Sequence, residues 1–252
     1  MLQYWQETTA FDLGVASELC LLCVGSTEQH SDYLPLGTDS IIGQNIAEMA
    51  AKKAACRVTM LPYQEIGFSP HHRAFPGCLT LSQETLVRYL FEICACAYQN
   101  HAKRLMILNS HGGNQTCLQA VVNEIGSRLQ KQAVLVRYWD LVAKLMPDLR
   151  ETGPGGMGHA GELETSLMLY FRPDLVKTEK IDDRAPATGS EWHHPDLFAT
   201  NKVYLYKPFE EFSTQGNVGE PAYASKEKGE RFAAVITDEL ARLMDDYIKH
   251  GL

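Results

Sequence analysis

Unbroken apolar runs alternate along this chain with longer segments of helical periodicity. The run SELCLLCVGS (17–26) has almost no polar position, as expected of a strand buried on both faces. DSIIGQNIAEMAAKKAA (39–55) then spaces its apolar residues for one helix face, and RVTMLP (57–62) is a short β-rich run. SQETLVRYLFEICACAYQNH (82–101) predicts a helix with Ser82 as its N-cap. After it, RLMILN (104–109) predicts a strand, NQTCLQAVVNEIGSRLQ (114–130) a helix and AVLVRYWD (133–140) a strand. GELETSLMLYF (161–171) reads as a helix stopped at Arg172-Pro173, and KEKGERFAAVITDELARLMDDYIKH (226–250) as a long amphipathic helix. Residues 178–222, rich in Pro, Gly, Ser and aromatics, read as an irregular insertion. This alternation predicts an α/β protein: a mainly parallel central sheet with helices on both faces, in one domain over residues 1–252.

Composition narrows the partners. Of 252 residues 45% are hydrophobic and 21% charged, enough for a substantial core, and the net charge is −8. Nucleic acid and anionic membrane both need clustered Lys and Arg, and the 23 basic residues are scattered, so neither is expected as a partner. The seven cysteines fall in apolar stretches such as ELCLLCVG and EICACAYQ, where each acts as a small hydrophobe. Cys20 and Cys23 form a C-x-x-C pattern, but three positions apart in a strand they face opposite sides. Without a basic and apolar leader at the N-terminus, and without a run near ~18 apolar residues, the expected location is the cytoplasm.

Candidate chemistry gathers just after the predicted strands. In open α/β sheets ligands bind at the carboxyl ends of the strands, and GSTEQH, SPHHRAFPG and NSHGGNQ all follow predicted strands. Glu28 and His30, two apart on an extended segment, share one face. Asp39 stands at the start of the next helix, where it could also serve as a cap. His111 is followed by two glycines, whose freedom permits a close backbone approach to a ligand. In GHAGELETS, Glu162 and Glu164 would lie about 200° apart on a helix, so at most one faces the site. His159 precedes Glu162 by three positions and neighbours it if the first turn is helical. Glu28, His30, Asp39, His111 and Glu162 together offer three carboxylates and two imidazoles, a donor set that suits Zn²⁺ or Mn²⁺. Five ligands exceed what one catalytic zinc takes, whereas two ions sharing a carboxylate would use them all.

The ordered motifs GSTEQHSDYLPLGTD, HHRAFPGCLTLS, NSHGGNQ and GHAGELETSLMLYFRPDLV resemble the creatininase (creatinine amidohydrolase) family over most of residues 20–180. That resemblance implies a metal-dependent hydrolase of non-peptide C–N bonds, cyclic amides or formamides, with an α/β sandwich fold and a hexameric assembly. It implies one ion on Glu28, Asp39 and His111 and a second on His30, Asp39 and Glu162. His159 would move a proton to the leaving nitrogen. Gly113 stands where creatininase itself carries a ligating Glu, and Glu162 is expected to replace that carboxylate. His72 and Gly77 match an H-x-x-F-P-G substrate loop, Gly112 and Gly113 would offer amides to an oxyanion, and Trp139 matches a substrate-stacking Trp. Gly112 and Gly155 stand where creatininase has further aromatic residues. His193 and His194 are expected in a solvated loop. The reading is a binuclear amidohydrolase. Its alternatives are creatinine hydrolysis proper, metal-assisted isomerisation, and a metal-dependent binding protein without turnover.

Overall fold

A computed structural model describes residues 1–13, 17–100, 102–182 and 188–251. Its sheet has five parallel strands: β1 (Leu2–Tyr4), β2 (Leu19–Val24), β3 (Val58–Met60), β4 (Arg104–Asn109) and β5 (Ala133–Arg137), in the order β1-β3-β2-β4-β5. The helices are α1 (Ala10–Leu13), α2 (Thr38–Lys53), α3 (Gln83–Gln99), α4 (Gln115–Glu124), α5 (Glu162–Phe171) and α6 (Lys226–His250).

The central strand explains its own composition. Every residue of β2 is buried, and alternate side chains enter two different cores. Leu19, Leu21 and Cys23 pack with α2, α5 and α6; Cys20, Leu22 and Val24 pack with α3 and α4. Each leucine so buried contributes roughly 1.5–3 kcal/mol relative to exposure. The two cysteines of the C-x-x-C pattern therefore lie on opposite faces, as expected, and all seven cysteines are free.

Local signals held where they rest on backbone chemistry. Ser82 caps α3 by accepting a hydrogen bond from the Thr85 N–H. The helix expected over 114–130 gives way after Glu124 to a wide π turn over Ile125–Leu129 that ends at a left-handed Gln130. Gly126 is a weak helix former at that point. Strand β1 has no apolar run of its own and exists through pairing with β3. The described part of 178–222 contains only short 3-10 turns, at Thr178–Lys180, Phe209–Glu211 and Pro221–Tyr223. None of the described helices is long and apolar enough to cross a membrane.

Candidate metal centre

The strand order fixes where a ligand binds. Strands β2 and β4 are neighbours, but the helices that follow them, α2 and α4, pack on opposite faces of the sheet. The connections leaving the two strands part there, and such a switch point opens a crevice. Glu28, Gln29 and His30 follow β2, Asp39 lies in the first turn of α2, and His111 follows β4. Ser69, His71 and His72 come from the β3–α3 connection, His159 and Glu164 from the entry and first turn of α5, and Phe209 from the insertion.

These groups form one continuous buried polar cluster. Asp39 joins its two halves: Oδ1 lies 3.2 Å from His30 Nε2 and Oδ2 lies 3.1 Å from His111 Nδ1. His111 Nε2 is 3.2 Å from Glu28 Oε2, which also accepts from the Ser26 hydroxyl at 2.9 Å. Beyond His30, Glu164 Oε2 is 3.9 Å from Nε2, and the His159 ring lies 4.0 Å from the His30 ring. On the far side of Glu28, Oε1 is 3.1 Å from His72 Nε2 and 3.7 Å from His159 Nδ1. Phe209 stacks on His72 with ring centres 4.2 Å apart and meets His159 edge-on. Donor atoms converge within one coordination sphere in three trios: Glu28–Asp39–His111, His30–His159–Glu164 and Glu28–His72–His159.

Burial sets the electrostatics. It raises the Glu28 carboxyl above the usual range, despite the opposing pull of His111. Glu164 is pushed up to about 7, chiefly by burial, with Asp39 adding repulsion and His30 opposing. Burial alone would depress His30 and His111, but Asp39 and Glu164 lift the first to about 10, and Glu28 and Asp39 lift the second to about 9. Burial keeps His72 and His159 far below the usual histidine range, hence neutral.

The cluster calls for cations. His30 Nδ1–H donates to the Glu28 carbonyl at 3.2 Å, so the bare Nε2 of a neutral ring would face the Asp39 and Glu164 carboxylates. Glu28 Oε1 and Asp39 Oδ2 are buried oxygens with no hydrogen-bond donor. An orphaned buried carboxylate oxygen costs several kcal/mol unless a positive charge meets it. Nitrogen and oxygen donors without a thiolate suit Zn²⁺ or Mn²⁺.

Glu28, His30, Asp39, His111 and His159 are brought together as expected. Glu162 is not. Its carboxylate points away and accepts from the Glu151 and Thr152 N–H groups, the Thr152 hydroxyl and the Lys228 ammonium. The carboxylate at the cluster belongs to Glu164. Ala160 adopts a left-handed backbone (φ 53°) and Gly161 is extended, so His159 lies outside the helix and the expected three-residue neighbourhood with Glu162 never forms. Asp39 does not cap α2: Gly37 occupies the N-cap, and the carboxylate serves the histidines.

The remaining predicted residues divide. His72 faces Glu28, and Gly113 packs so closely that a Cβ there would sit 2.4 Å from His111 Nε2. Gly112 borders open space. Gly77 has φ 88° and packs on Leu36, so it shapes its turn. Trp139, expected to stack on substrate, lies in the apolar core edge-on to Tyr138, because β5 ends by turning it inward. His193 and His194 are half-exposed in the insertion. Gln29, Ser26, Ser69, His71 and Phe209 went unread in the sequence; Gln29, between two ligand candidates, was the most accessible of them.

Comparison with known proteins identifies the family. A family model described as creatinine amidohydrolase matches residues 3–244. The mycofactocin precursor peptide peptidase of Mycobacterium tuberculosis (strain CDC 1551 / Oshkosh) is 30% identical over 247 residues, 93% of this chain and 87% of that protein. The creatinine amidohydrolase of Pseudomonas putida is 26% identical over 94% of this chain and 92% of its own. Among solved structures, a mutant creatininase of Zn-Zn type superposes with a TM-score of 0.83 at 24% identity, covering 98% of each chain. The family model spans nearly the whole chain and the fold agrees with it, so the chain belongs to the creatininase family of hydrolases.

Proposed function

We propose that this chain is a binuclear metal-dependent amidohydrolase that cleaves a non-peptide C–N bond of a small cyclic amide or formamide. The observation that carries the reading is Asp39, whose two oxygens address two different imidazoles at the junction of two buried donor trios. In it Glu28, Asp39 and His111 would hold one ion, and His30, Asp39 and Glu164 the other. Bound there, a pair of Zn²⁺ or Mn²⁺ ions supplies polarisation of a carbonyl and acidification of a shared water.

The chain's own residues supply the proton path and the enclosure. His159 Nε2–H is committed to the Gln29 carbonyl at 2.6 Å, so Nδ1 is the lone pair that faces the cluster. With Nδ1 bare and turned toward the cluster, His159 is placed to take a proton from water and return it to the departing nitrogen. A protein that only bound its ligand would need no such base. Phe209 and His72 close the site against bulk water, and Gly112 and Gly113 border the entrance beside His111.

The enclosure favours a small substrate: even His159, more open than Glu28, His30, Asp39, His72, His111 and Glu164, has only 13% side-chain exposure. A peptide C–N bond is the second reading, favoured by the 30% identity to a peptidase. Creatinine itself is less favoured, because Trp139 lies in the core and Gly112 and Gly155 offer no aromatic wall. The reading includes a homo-oligomer in the cytoplasm. It is supported by the exposed Trp192 and the exposed run Val203–Tyr206, where Tyr204 is 82% accessible, and by seven free cysteines.

The test is release of ammonia, amine or formate from cyclic amides, formamides and short peptides, with and without chelator. Chelator-sensitive turnover of an amide or formamide is expected. Turnover of peptides alone would favour the second reading, and turnover that survives complete metal removal would end the proposal.

A further inference from the structure

Gln29 meets two of the site's histidines at once: its amide nitrogen lies 2.9 Å from His72 Nδ1 and 3.4 Å from His159 Nε2, and the His159 nitrogen is held more closely, at 2.6 Å, by the Gln29 main-chain carbonyl. Its side-chain oxygen accepts the Ser31 N–H at 2.9 Å, and Ser31 takes a left-handed backbone (φ 61°) to present that hydrogen. The loop at Gly216 passes so close to Oε1 that a Cβ there would lie 2.0 Å from it, so the amide cannot swing outward. With Oε1 fixed in this way, the amide nitrogen must be the atom 2.9 Å from His72 Nδ1. An amide nitrogen only donates, so His72 Nδ1 accepts and the ring hydrogen resides on Nε2. That N–H stands 3.1 Å from Glu28 Oε1, without the alignment of a hydrogen bond.

We infer that Gln29 is a positioning residue that holds His72 in the Nε2–H tautomer and so decides which donor trios can take a metal. Of the three trios, Glu28–His72–His159 is closed to a cation because a hydrogen already occupies the His72 atom facing it. The two groups that would hold the ions, Glu28–Asp39–His111 and His30–Asp39–Glu164, do not include His72 and stay open, while His159, donating Nε2–H to the Gln29 carbonyl, keeps Nδ1 bare as the base. One residue thus holds two imidazoles in the same Nε2–H tautomer while they turn opposite ring atoms to Glu28. His72 becomes a donor toward Glu28 and substrate, and His159 a base. This inference rests on the two-cation reading for its consequence, but not for the tautomer itself.

The test uses zinc-loaded protein with ¹⁵N-labelled histidine and long-range ¹H–¹⁵N correlation, the His72 signals being assigned by their loss in His72→Gln. Wild type is expected to show protonated Nε2 and bare Nδ1 at His72, and His72→Gln to keep the wild-type zinc count. Gln29→Glu replaces the donor by an acceptor and is expected to move the His72 hydrogen to Nδ1, leaving His159 unchanged on its main-chain partner. Its kcat should fall about 10–100-fold with a smaller change in KM. Gln29→Met, which only removes the bond, should give a mixture of tautomers at His72. A bare Nε2 in wild type, an unshifted His72 in both Gln29 variants, or loss of one zinc in His72→Gln would overturn the inference. A wild-type zinc count below two with the Nε2–H pattern intact would remove the two-cation reading and leave the role of Gln29 standing.

Discussion

Glu162 and Glu164 stand two residues apart in the same turn of α5, are the same side chain and are both buried, yet they live in opposite chemistry. Around Glu162 the fold supplies a complete set of fixed donors: two backbone N–H groups, a hydroxyl and an ammonium. Although burial pushes the other way, that set holds its carboxyl below the usual range. Around Glu164 it supplies one backbone N–H, from Ala160, and a ring nitrogen 3.9 Å away, and the carboxyl rises to about 7. A carboxylate whose needs the fold meets in full ties loops and helices together. One whose needs are left incomplete is a place for a cation.

The largest effect should come from the residue that joins both halves of the cluster. Asp39→Ala is expected to lose both metals by elemental analysis and to lower kcat/KM by at least about 10³-fold. Retention of two ions would separate Asp39 from the metal chemistry. The two glutamates then test the comparison directly. Glu162→Gln removes the buried counter-charge of Lys228, leaving it the exposed Glu151 carboxylate at 2.9 Å, and should cost about 2 kcal/mol in denaturant unfolding while keeping both ions. Glu164→Gln should lose one ion and leave the metal-free protein at least as stable. The reverse pattern would reinstate Glu162 as the ligand.

Acidity distinguishes the two further. The contribution of Glu162, whose folded pKa is depressed, is present above the unfolded value of about 4.3 and disappears as pH falls through the folded one. Wild type and Glu162→Gln should therefore converge in stability only below about pH 4. Glu164 has the opposite sign: in the metal-free protein it subtracts stability as pH rises from about 4.3 to about 7, so Glu164→Gln should gain on wild type across that window. The smallest contrast lies in adjacent glycines. Gly112→Ala meets open space and should change stability by no more than about 0.5 kcal/mol, whereas Gly113→Ala displaces the His111 ring and should lower metal affinity about tenfold or more, by competition with a chromogenic chelator.

Much of this was legible from residues alone. The unbroken apolar run of β2 announced a strand between two cores, Ser82 announced a helix start, and Glu28, His30, Asp39 and His111 stood out as polar groups at strand ends where packing had no use for them. What misled was a spacing rule applied past its domain. His159 and Glu162 are three positions apart, but the left-handed Ala160 breaks the helix between them, and nothing in GHAGELETS marks an alanine for that conformation. Phe209 went unread, and Trp139 was misplaced, for a different reason. One arrives from an irregular insertion and the other turns inward at the end of an edge strand, and neither position has a periodicity to read.

The amino-acid order, then, settled the alternation of strand and helix, the double burial of the sheet's centre and the inventory of metal donors, because these depend on local periodicity and side-chain chemistry. Only the folded chain decided which of two glutamates meets the histidines and which atom of each imidazole faces them. Those outcomes hang on distances of a few ångströms between segments tens to more than a hundred residues apart, and no short-range pattern carries that information.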